Sequence, residues 1–397
     1  MSLPEVIVVV KNGGIGGVTA LNDGIAGLIV SGTAAPSAGW ALGVAKQFFS
    51  IDEVKDAGLN AEYDTANTTN AYKQVADFYK VAGDGAELWV MVVAKTETME
   101  DICDAASLHA YAKLLLDAGG GTIRLVGVCR VPDALFVPTY VGGIDDDVIA
   151  ALTNLEALAI SRASVMEPFV GIIEGRDFKG DAGDIEDLKG LSFNRVAGVI
   201  CSDKADKSAG VGLLLGRLAA DPVMRKPGRV KTGAIPIAAG YFSDGTKVTR
   251  GVADSLDTKG WIVMTPYPQR SGLYWGVDNT CSSTDDDFST IANRRVIDKA
   301  MLIAYDTYIT EIMDEIAVDT DGKLDPGVVK YYEGKITNAI NNTMTGNGEI
   351  SSMSAFIDPS QNILSTGKLV VNLSIVPVGY AKTIQVNLGF TNPATSA

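Results

Sequence analysis

Histidine and cysteine are scarce in this 397-residue chain, and their scarcity excludes several kinds of site. The single histidine, His109, rules out metal sites built from several histidines and paired-histidine mechanisms. The four cysteines are scattered without a C-x-x-C pair, which indicates reduced thiols of a protein made in the cytosol. Neither a G-x-S-x-G nor a G-x-x-x-x-G-K-[ST] motif is present. We therefore predict no catalytic residue, no metal and no cofactor.

Basic residues are also in short supply. Lysine and arginine number 33 against 48 aspartates and glutamates, which gives a formal net charge of −15. Nucleic acid and anionic membrane both favour a basic protein surface, so we expect neither as a direct partner. No apolar run approaches the ~18 residues of a membrane span. The first residues lack the basic segment and long apolar core of a secretory signal.

Charged residues are few near both ends of the sequence, with four in residues 1–50 and four in residues 345–397. Two late segments, 369–376 and 382–390, alternate apolar with polar residues, which is the period of half-buried strands. A strand with an apolar face and no partner can pair with another chain. The alternative is that these strands close one sheet within the same molecule. The apolar positions of the last segment are Ile384, Val386, Leu388 and Phe390.

Near the N-terminus, VIVVVKNGGIGGVTA (residues 6–20) joins a β-branched run to four glycines. A dinucleotide-binding fingerprint needs G-x-G-x-x-G between a strand and a helix. Here Asn12 occupies the first glycine position, and the turn signal at 22–24 leaves no room for the helix. We interpret the glycines as a hinge between two extended segments. A cytosolic FAD- or NAD-binding α/β enzyme is the alternative.

The middle of the chain alternates apolar runs with amphipathic helical patterns. The runs 88–94, 123–129, 169–175 and 195–201 show no internal alternation, which is typical of strands covered on both faces. The sequence therefore predicts an α/β fold with a parallel or mixed sheet, and an α+β character in the C-terminal part. Helical patterns cover 70–83, 148–162, 209–220, 284–316 and 327–341.

The predicted helix 284–316 carries two groups of adjacent charges. Asp285, Asp286 and Asp287 would complement the positive end of the helix dipole. Arg294 and Arg295 occupy neighbouring helical positions, and we expect at least one of them to anchor a carboxylate within or between subunits.

Several segments, taken in order, resemble the sheath proteins of contractile phage tails and of related contractile injection systems. They are IAGLIVSGTA, FSIDEVKDAG, VADFYKVAGDGAELWVMVVA, YWGVDNT, DDFSTIANRRVIDKAMLIAYDTYI and LVVNLSIVPVGYAKTIQVNLGF. The resemblance spans most of the chain. The helix around residues 210–220 departs from it, because it lacks the proline-rich lead-in of better-known members.

The resemblance implies a two-domain subunit with extended arms. Residues 1–22 would form an N-terminal linker arm and residues 382–397 a C-terminal strand arm. Residues 23–237 would form an outer α/β domain, and residues 238–381 the inner core domain of the sheath. Copies of the chain would stack as hexameric rings around an inner tube, then shorten and drive the tube through a target envelope.

The resemblance also implies roles for individual residues. The arms would add strands to sheets of neighbouring copies through Glu5, Val6, Ile7, Val8, Val9, Val10, Ile384, Val386, Leu388 and Phe390. The hinge would be formed by Gly13, Gly14, Gly16 and Gly17. We further hypothesise that Lys330 and Lys335, on the helix before the C-terminal strands, face the tube.

The partners implied are the chain itself, the inner tail tube protein, and the baseplate and tail terminator proteins. The particle would be a phage tail or an injection system, assembled in the bacterial cytoplasm. A non-contractile tail or surface-array protein that uses the same strand exchange is a further reading.

Overall fold

The computed structural model describes residues 23–390. The predicted N-terminal strand at 5–10 and the glycine hinge at 13–17 lie outside the described residues. The strands are β1 Ala26–Gly32, β2 Ala45–Phe48, β3 Leu88–Ala94, β4 Leu125–Val128, β5 Tyr140–Val141, β6 Ile144–Asp145, β7 Val170–Glu174, β8 Val196–Val199, β9 Cys201–Ser202, β10 Tyr241–Phe242, β11 Met264–Pro266, β12 Leu273–Trp275, β13 Ile350–Phe356 and β14 Asn372–Pro377. The helices are α1 Ile51–Asp56, α2 Ala61–Asn67, α3 Ala71–Ala82, α4 Met99–Cys103, α5 Tyr111–Ala118, α6 Asp146–Ser164, α7 Val211–Ala220, α8 Arg250–Thr258, α9 Ile291–Ile309, α10 Pro326–Ile340 and α11 Ile363–Thr366.

A six-stranded sheet in the order β2-β3-β1-β4-β7-β8 organises the first part of the chain. Five of its strands are parallel, and β2 is antiparallel to β3. Every residue of β1 is buried, because helices cover both faces of the sheet. A Cβ atom added at Gly27 would meet Leu115 of α5, whereas one added at Gly127 would meet Leu215 of α7. The predicted α/β fold with a mixed sheet is confirmed.

Helices α3 and α7 pack closely on one face of this sheet. A side chain at Gly212 would collide with the carbonyl oxygen of Gln74, and a Cβ at Gly216 would lie 2.5 Å from the carbonyl oxygen of Phe78. The buried amide of Gln74 joins the two helices. Its Nε2 donates to the carbonyl of Ala209 at 2.7 Å, and its Oε1 accepts from the amide of Gly212 at 2.9 Å. Because Gly212 and Gly216 have no side chains, the backbones of α3 and α7 can come into contact at these positions.

The chain divides into two compact units, with the boundary between Asp306 and Thr307, inside α9. The first unit contains the six-stranded sheet and the β11–β12 hairpin. The second unit contains α10, α11 and the β13–β14 hairpin. One of its hydrophobic clusters consists of Leu324, Val329, Tyr332 and Ile357. The outer and inner domain limits at 237/238 and 381/382 stay predictions.

Two predicted elements differ from the structure. Helix α9 covers Ile291–Ile309, where the sequence predicted 284–316. The three acids Asp285, Asp286 and Asp287 therefore precede the helix, and Asp286 accepts a hydrogen bond from the amide of Phe288 in a turn. Residues 382–390 pair with no strand among residues 23–390.

Candidate assembly interface

The β13–β14 hairpin is a two-stranded antiparallel sheet with two outer edges. Met353 lies opposite Ile375 and Ala355 opposite Leu373, and the register shifts between Ile350 and Ser352. Within residues 23–390, no third strand pairs with either edge. Each edge therefore presents a row of backbone N–H and C=O groups to which another strand can bind.

One face of this hairpin is half-buried and the other is exposed. Leu373 and Ile375 are half-buried, whereas Asn372 and Ser374, which alternate with them, are exposed, and this confirms the predicted alternation over 369–376. Helix α10 covers part of the apolar face, and the Glu333 carboxylate accepts a hydrogen bond from the amide of Ile357 at 3.0 Å. Because a two-stranded sheet is at best marginally stable alone, this packing is what holds the hairpin.

The C-terminal segment 382–390 presents apolar side chains to solvent. Exposure reaches 79% at Ile384, 70% at Val386, 92% at Leu388 and 110% at Phe390. These residues alternate with polar ones, which is a pattern suited to a strand with one buried face. The same chain thus carries a sheet with open edges and a strand-like segment that joins no sheet within residues 23–390.

Arg294 and Arg295 are both buried in the first unit. Nη2 of Arg294 donates to Asp298 Oδ1 at 2.7 Å, and Arg195 binds both oxygens of the same carboxylate. Nη2 of Arg295 donates to the backbone carbonyl of Asp23 at 3.1 Å. Arg294 therefore binds a carboxylate of its own chain. The role of the two arginines in contacts between subunits stays a prediction.

Lys330 and Lys335 lie at the surface of α10, and each is paired with an acid of the same unit. Nζ of Lys330 is 2.7 Å from Glu333, and its side chain is 80% exposed. Lys335 pairs with Glu311, which also accepts a hydrogen bond from the Tyr331 hydroxyl at 3.3 Å. Their predicted contact with a tube stays a prediction.

Three features of the structure are missing from the sequence predictions, one in the second unit and two in the first. Strand β13 was not predicted, because its serines and its register shift interrupt the apolar alternation. The carboxylate of Asp278 accepts from the amide of Ala292 at 2.9 Å and pairs with Lys226 at 3.0 Å. The ion pair between Asp23 and Lys299 joins residues 276 positions apart. Because the strand predicted at 369–376 needs a partner in a sheet, that need was the one signal that could have indicated β13.

Two further kinds of site, a membrane span and a metal centre, depend on the helices and on the acidic, histidine and cysteine side chains of the described range, residues 23–390. No helix there is long and apolar enough to cross a bilayer. No group of three histidine, cysteine, aspartate or glutamate side chains in this range is placed to hold a metal ion.

This architecture is the fold of contractile tail sheath proteins. The chain superimposes with a TM-score of 0.63 on a chain of the anti-feeding prophage baseplate, at 15% identity, covering 99% of this chain and 100% of that one. The anti-feeding prophage helical sheath in its contracted state also gives 0.63, at 15% identity over 98% and 99% of the two chains. The contracted PVC sheath complex of an extracellular contractile injection system gives 0.58, at 13% identity over 98% of each chain.

The chain belongs to the DUF2586 family. Residues 3–279 match its N-terminal domain and residues 287–395 match its C-terminal domain. A protein of Haemophilus phage HP1 (strain HP1c1) described as a tail sheath protein is 28% identical over 169 residues. That match covers 40% of this chain and spans 45% of the relative's length.

Proposed function

We propose that this protein is the structural subunit of a contractile tail sheath. Copies stack as hexameric rings in a helical array around an inner tube, and the array shortens to drive the tube through a target cell envelope. The proposal is carried by two features of the same chain: the exposed apolar side chains of Ile384, Val386, Leu388 and Phe390, which alternate with other residues, and the open edges of the β13–β14 hairpin. The sheath fold over the whole chain and the phage relative support it.

The join between copies is strand addition. The segment 382–390 of one copy pairs with an edge of the β13–β14 hairpin in another, and residues 5–10 of a further copy extend the same sheet. Each ladder hydrogen bond contributes about 0.5–1.5 kcal/mol net, and burying an apolar side chain contributes about 1.5–3 kcal/mol. Such joins are strongest in an array, where neighbouring joins stay engaged when one opens.

The glycines Gly13, Gly14, Gly16 and Gly17 are the hinge of the N-terminal arm in this proposal. Contraction changes the orientation of whole subunits while their arms stay joined. A hinge between the arm and the subunit must then adopt two backbone geometries, and glycine has access to the widest range of φ and ψ. The energy comes from new contacts between subunits in the shortened state, and no nucleotide is consumed.

The partners are other copies of the chain and the baseplate, together with the inner tube and the tail terminator. The particle is a phage tail or an injection system, assembled in the bacterial cytoplasm. Lys330 and Lys335 face the tube, and normal assembly on tubes of a variant with both changed to glutamine would remove that assignment. The protein is not an enzyme. The dinucleotide-binding alternative receives no support from the relatives, which are sheath and baseplate proteins.

Electron microscopy of the purified full-length chain tests the proposal. We expect cogwheel-like rings or striated tubes from the unaltered protein. The double variant Ile384→Asp/Val386→Asp should remain monomeric, since two charges cannot enter an apolar interface without a large desolvation cost. Its denaturation midpoint should be unchanged, because both side chains are solvent-exposed in the single chain.

The matched control is Thr383→Asp/Gln385→Asp, which adds the same charges to the other face of the same segment. This control should still form rings or tubes. Monomers from the unaltered protein at high concentration would contradict the proposed function. Normal tubes from the Ile384→Asp/Val386→Asp variant would contradict the proposed strand contact.

A further inference from the structure

The first described residue of the chain, Asp23, is held by helix α9. Its Oδ2 atom is 2.7 Å from Nζ of Lys299, and the two side chains are 19% and 10% exposed. Its backbone carbonyl accepts a hydrogen bond from Nη2 of Arg295 at 3.1 Å. Two cations one helical turn apart on α9 therefore bind both the side chain and the main chain of one residue.

The next residue, Gly24, is fitted against the end of helix α7. A Cβ atom at this position would lie 2.5 Å from the carbonyl oxygen of Ala219, so no larger residue fits without a shift of the backbone. Arg295 also reaches the backbone carbonyl of Asp221, just after α7. Residues 23–24, the end of α7 and the middle of α9 thus meet at one point. We name the contacts of Asp23 and Gly24 at this point the root clamp.

The root clamp lies immediately before β1, the strand that occupies the middle of the six-stranded sheet. The backbone hydrogen bonds of β1 to its neighbours begin at Ile25, whose carbonyl accepts from the amide of Arg124 at 2.9 Å, and continue at Ala26, whose amide donates to the carbonyl of Glu87 at 3.2 Å. A strand pulled from its end breaks its ladder bonds one after another, starting with the first. The root clamp precedes the first of these bonds in the chain. Its contacts must therefore break before a pull on the N-terminal side can break any hydrogen bond of β1.

We infer that the root clamp carries force from residues 1–22 into α9 and α7, so that β1 is not peeled from the sheet. The source of the force rests on the proposed function, in which a neighbouring copy holds the N-terminal arm. Lys299 and Arg295 are positioning residues in this inference: they fasten the arm to the body of the subunit. Nothing in the proposed strand exchange itself requires them.

Hydrogen–deuterium exchange of the full-length, unassembled chain tests the clamp. Lys299→Met and Asp23→Asn should each raise the exchange rate of the amides of residues 24–26 at least tenfold. Gly24→Ala should do the same by a separate route, since it leaves the ion pair intact and displaces the backbone. Unchanged protection of residues 88–94, in the neighbouring β3, will show that the variants are folded.

The control is Lys55→Met, which removes the exposed ion pair between Lys55 and Asp52 in the same unit. It should leave the exchange of residues 24–26 unchanged. The exchanged pair Asp23→Lys/Lys299→Asp should restore at least part of the protection. Exchange rates in Lys299→Met and Gly24→Ala equal to those of the unaltered chain would overturn the clamp.

Assembled tubes test the transmission of force. In a denaturant concentration that slowly dismantles tubes of the unaltered chain, Lys299→Met tubes should be lost several-fold faster, and Lys55→Met tubes at the unaltered rate. Equal rates for all three, together with faster exchange in Lys299→Met, would refute the force-carrying role and leave sheath assembly intact. Failure of the unaltered chain to form tubes would instead refute the proposed function and the force-carrying role with it. The exchange experiment on the unassembled chain would still show whether the root clamp protects the start of β1.

Discussion

Arg195 and Asp298 form a two-pronged ion pair across 103 residues of sequence, with N–O distances of 3.0 and 3.1 Å. Both residues are buried, at 7% and 5% exposure. Arg294 donates to the same carboxylate at 2.7 Å, so one acid serves two guanidinium groups. The loop before β8 is thereby tied to α9.

Replacing Asp298 with asparagine should destabilise the protein by about 3–5 kcal/mol, because it leaves two buried guanidinium groups without their carboxylate. Urea unfolding followed by circular dichroism measures the change. Asp254→Asn is the control, since Asp254 is 68% exposed and lies 3.7 Å from Arg250. The control should change stability by less than about 1 kcal/mol. Equal effects of the two variants would contradict the role of the buried pair.

Gly212→Ala should cost about 1–3 kcal/mol, because the added methyl group would overlap the carbonyl of Gln74 and push α3 from α7. Gly334→Ala is the matched change in the interior of another helix, where nothing lies within 4 Å of the added Cβ. It should stabilise the protein by about 0.5–1 kcal/mol through helix propensity. Denaturation midpoints compare the two, and a neutral Gly212→Ala would show that the helices are not in close contact.

Asp145 should make the protein less stable as the pH rises. Burial, and then the nearby charges of Asp147 and Asp177, raise the pKa of Asp145 to about 6. The folded state therefore binds the proton more tightly than the unfolded state does. The stabilisation is complete below the unfolded pKa near 3.8 and is lost as the pH rises through about 6.

Asp145→Asn keeps the shape of the side chain and removes its charge. It should be more stable than the unaltered chain by about 1–3 kcal/mol at pH 7.5, and equal to it near pH 3.5. Urea midpoints at both pH values measure the difference. The control is Asp146→Asn, which removes an exposed charge at the same helix end and should not reproduce the pH-dependent gain. A gain of the same size at both pH values would contradict the assignment.

The four thiols should be unreactive in the folded protein. Cys103, Cys129, Cys201 and Cys281 are all buried and unpaired, and burial raises the pKa of each, that of Cys201 to about 12. Since the thiolate is the reacting form, Ellman's reagent at pH 8 should modify none of them quickly and all four after denaturation. One fast thiol in the folded protein would contradict the burial at that position.

Local patterns predicted the elements of the central sheet closely. Strand β3 covers Leu88–Ala94, the predicted run, and α7 covers Val211–Ala220 within the predicted 209–220. Burial on both faces leaves a continuous apolar run, and that signal is complete within a few neighbouring residues. The start of α9 was predicted seven residues early, because Asp286 binds local amides in a turn.

The assembly interface could be predicted only in part. The alternation over 369–376 indicated β14, but its partner β13 has a weak and interrupted pattern. For 382–390 the sequence indicated a strand, and the structure shows that no strand of residues 23–390 pairs with it. The N-terminal arm and its hinge lie outside the described residues.

The sequence by itself determined the class of fold, the positions of most strands and helices, and the apolar alternation of the C-terminal segment. These properties depend on residues that are close to each other in the sequence, so local sequence patterns predict them. Only the tertiary structure decided that Asp298 serves two arginines, that Asp23 is held by Lys299, and that the hairpin keeps open edges. Such contacts join distant residues, and the geometry that brings them together is a property of the whole packed chain.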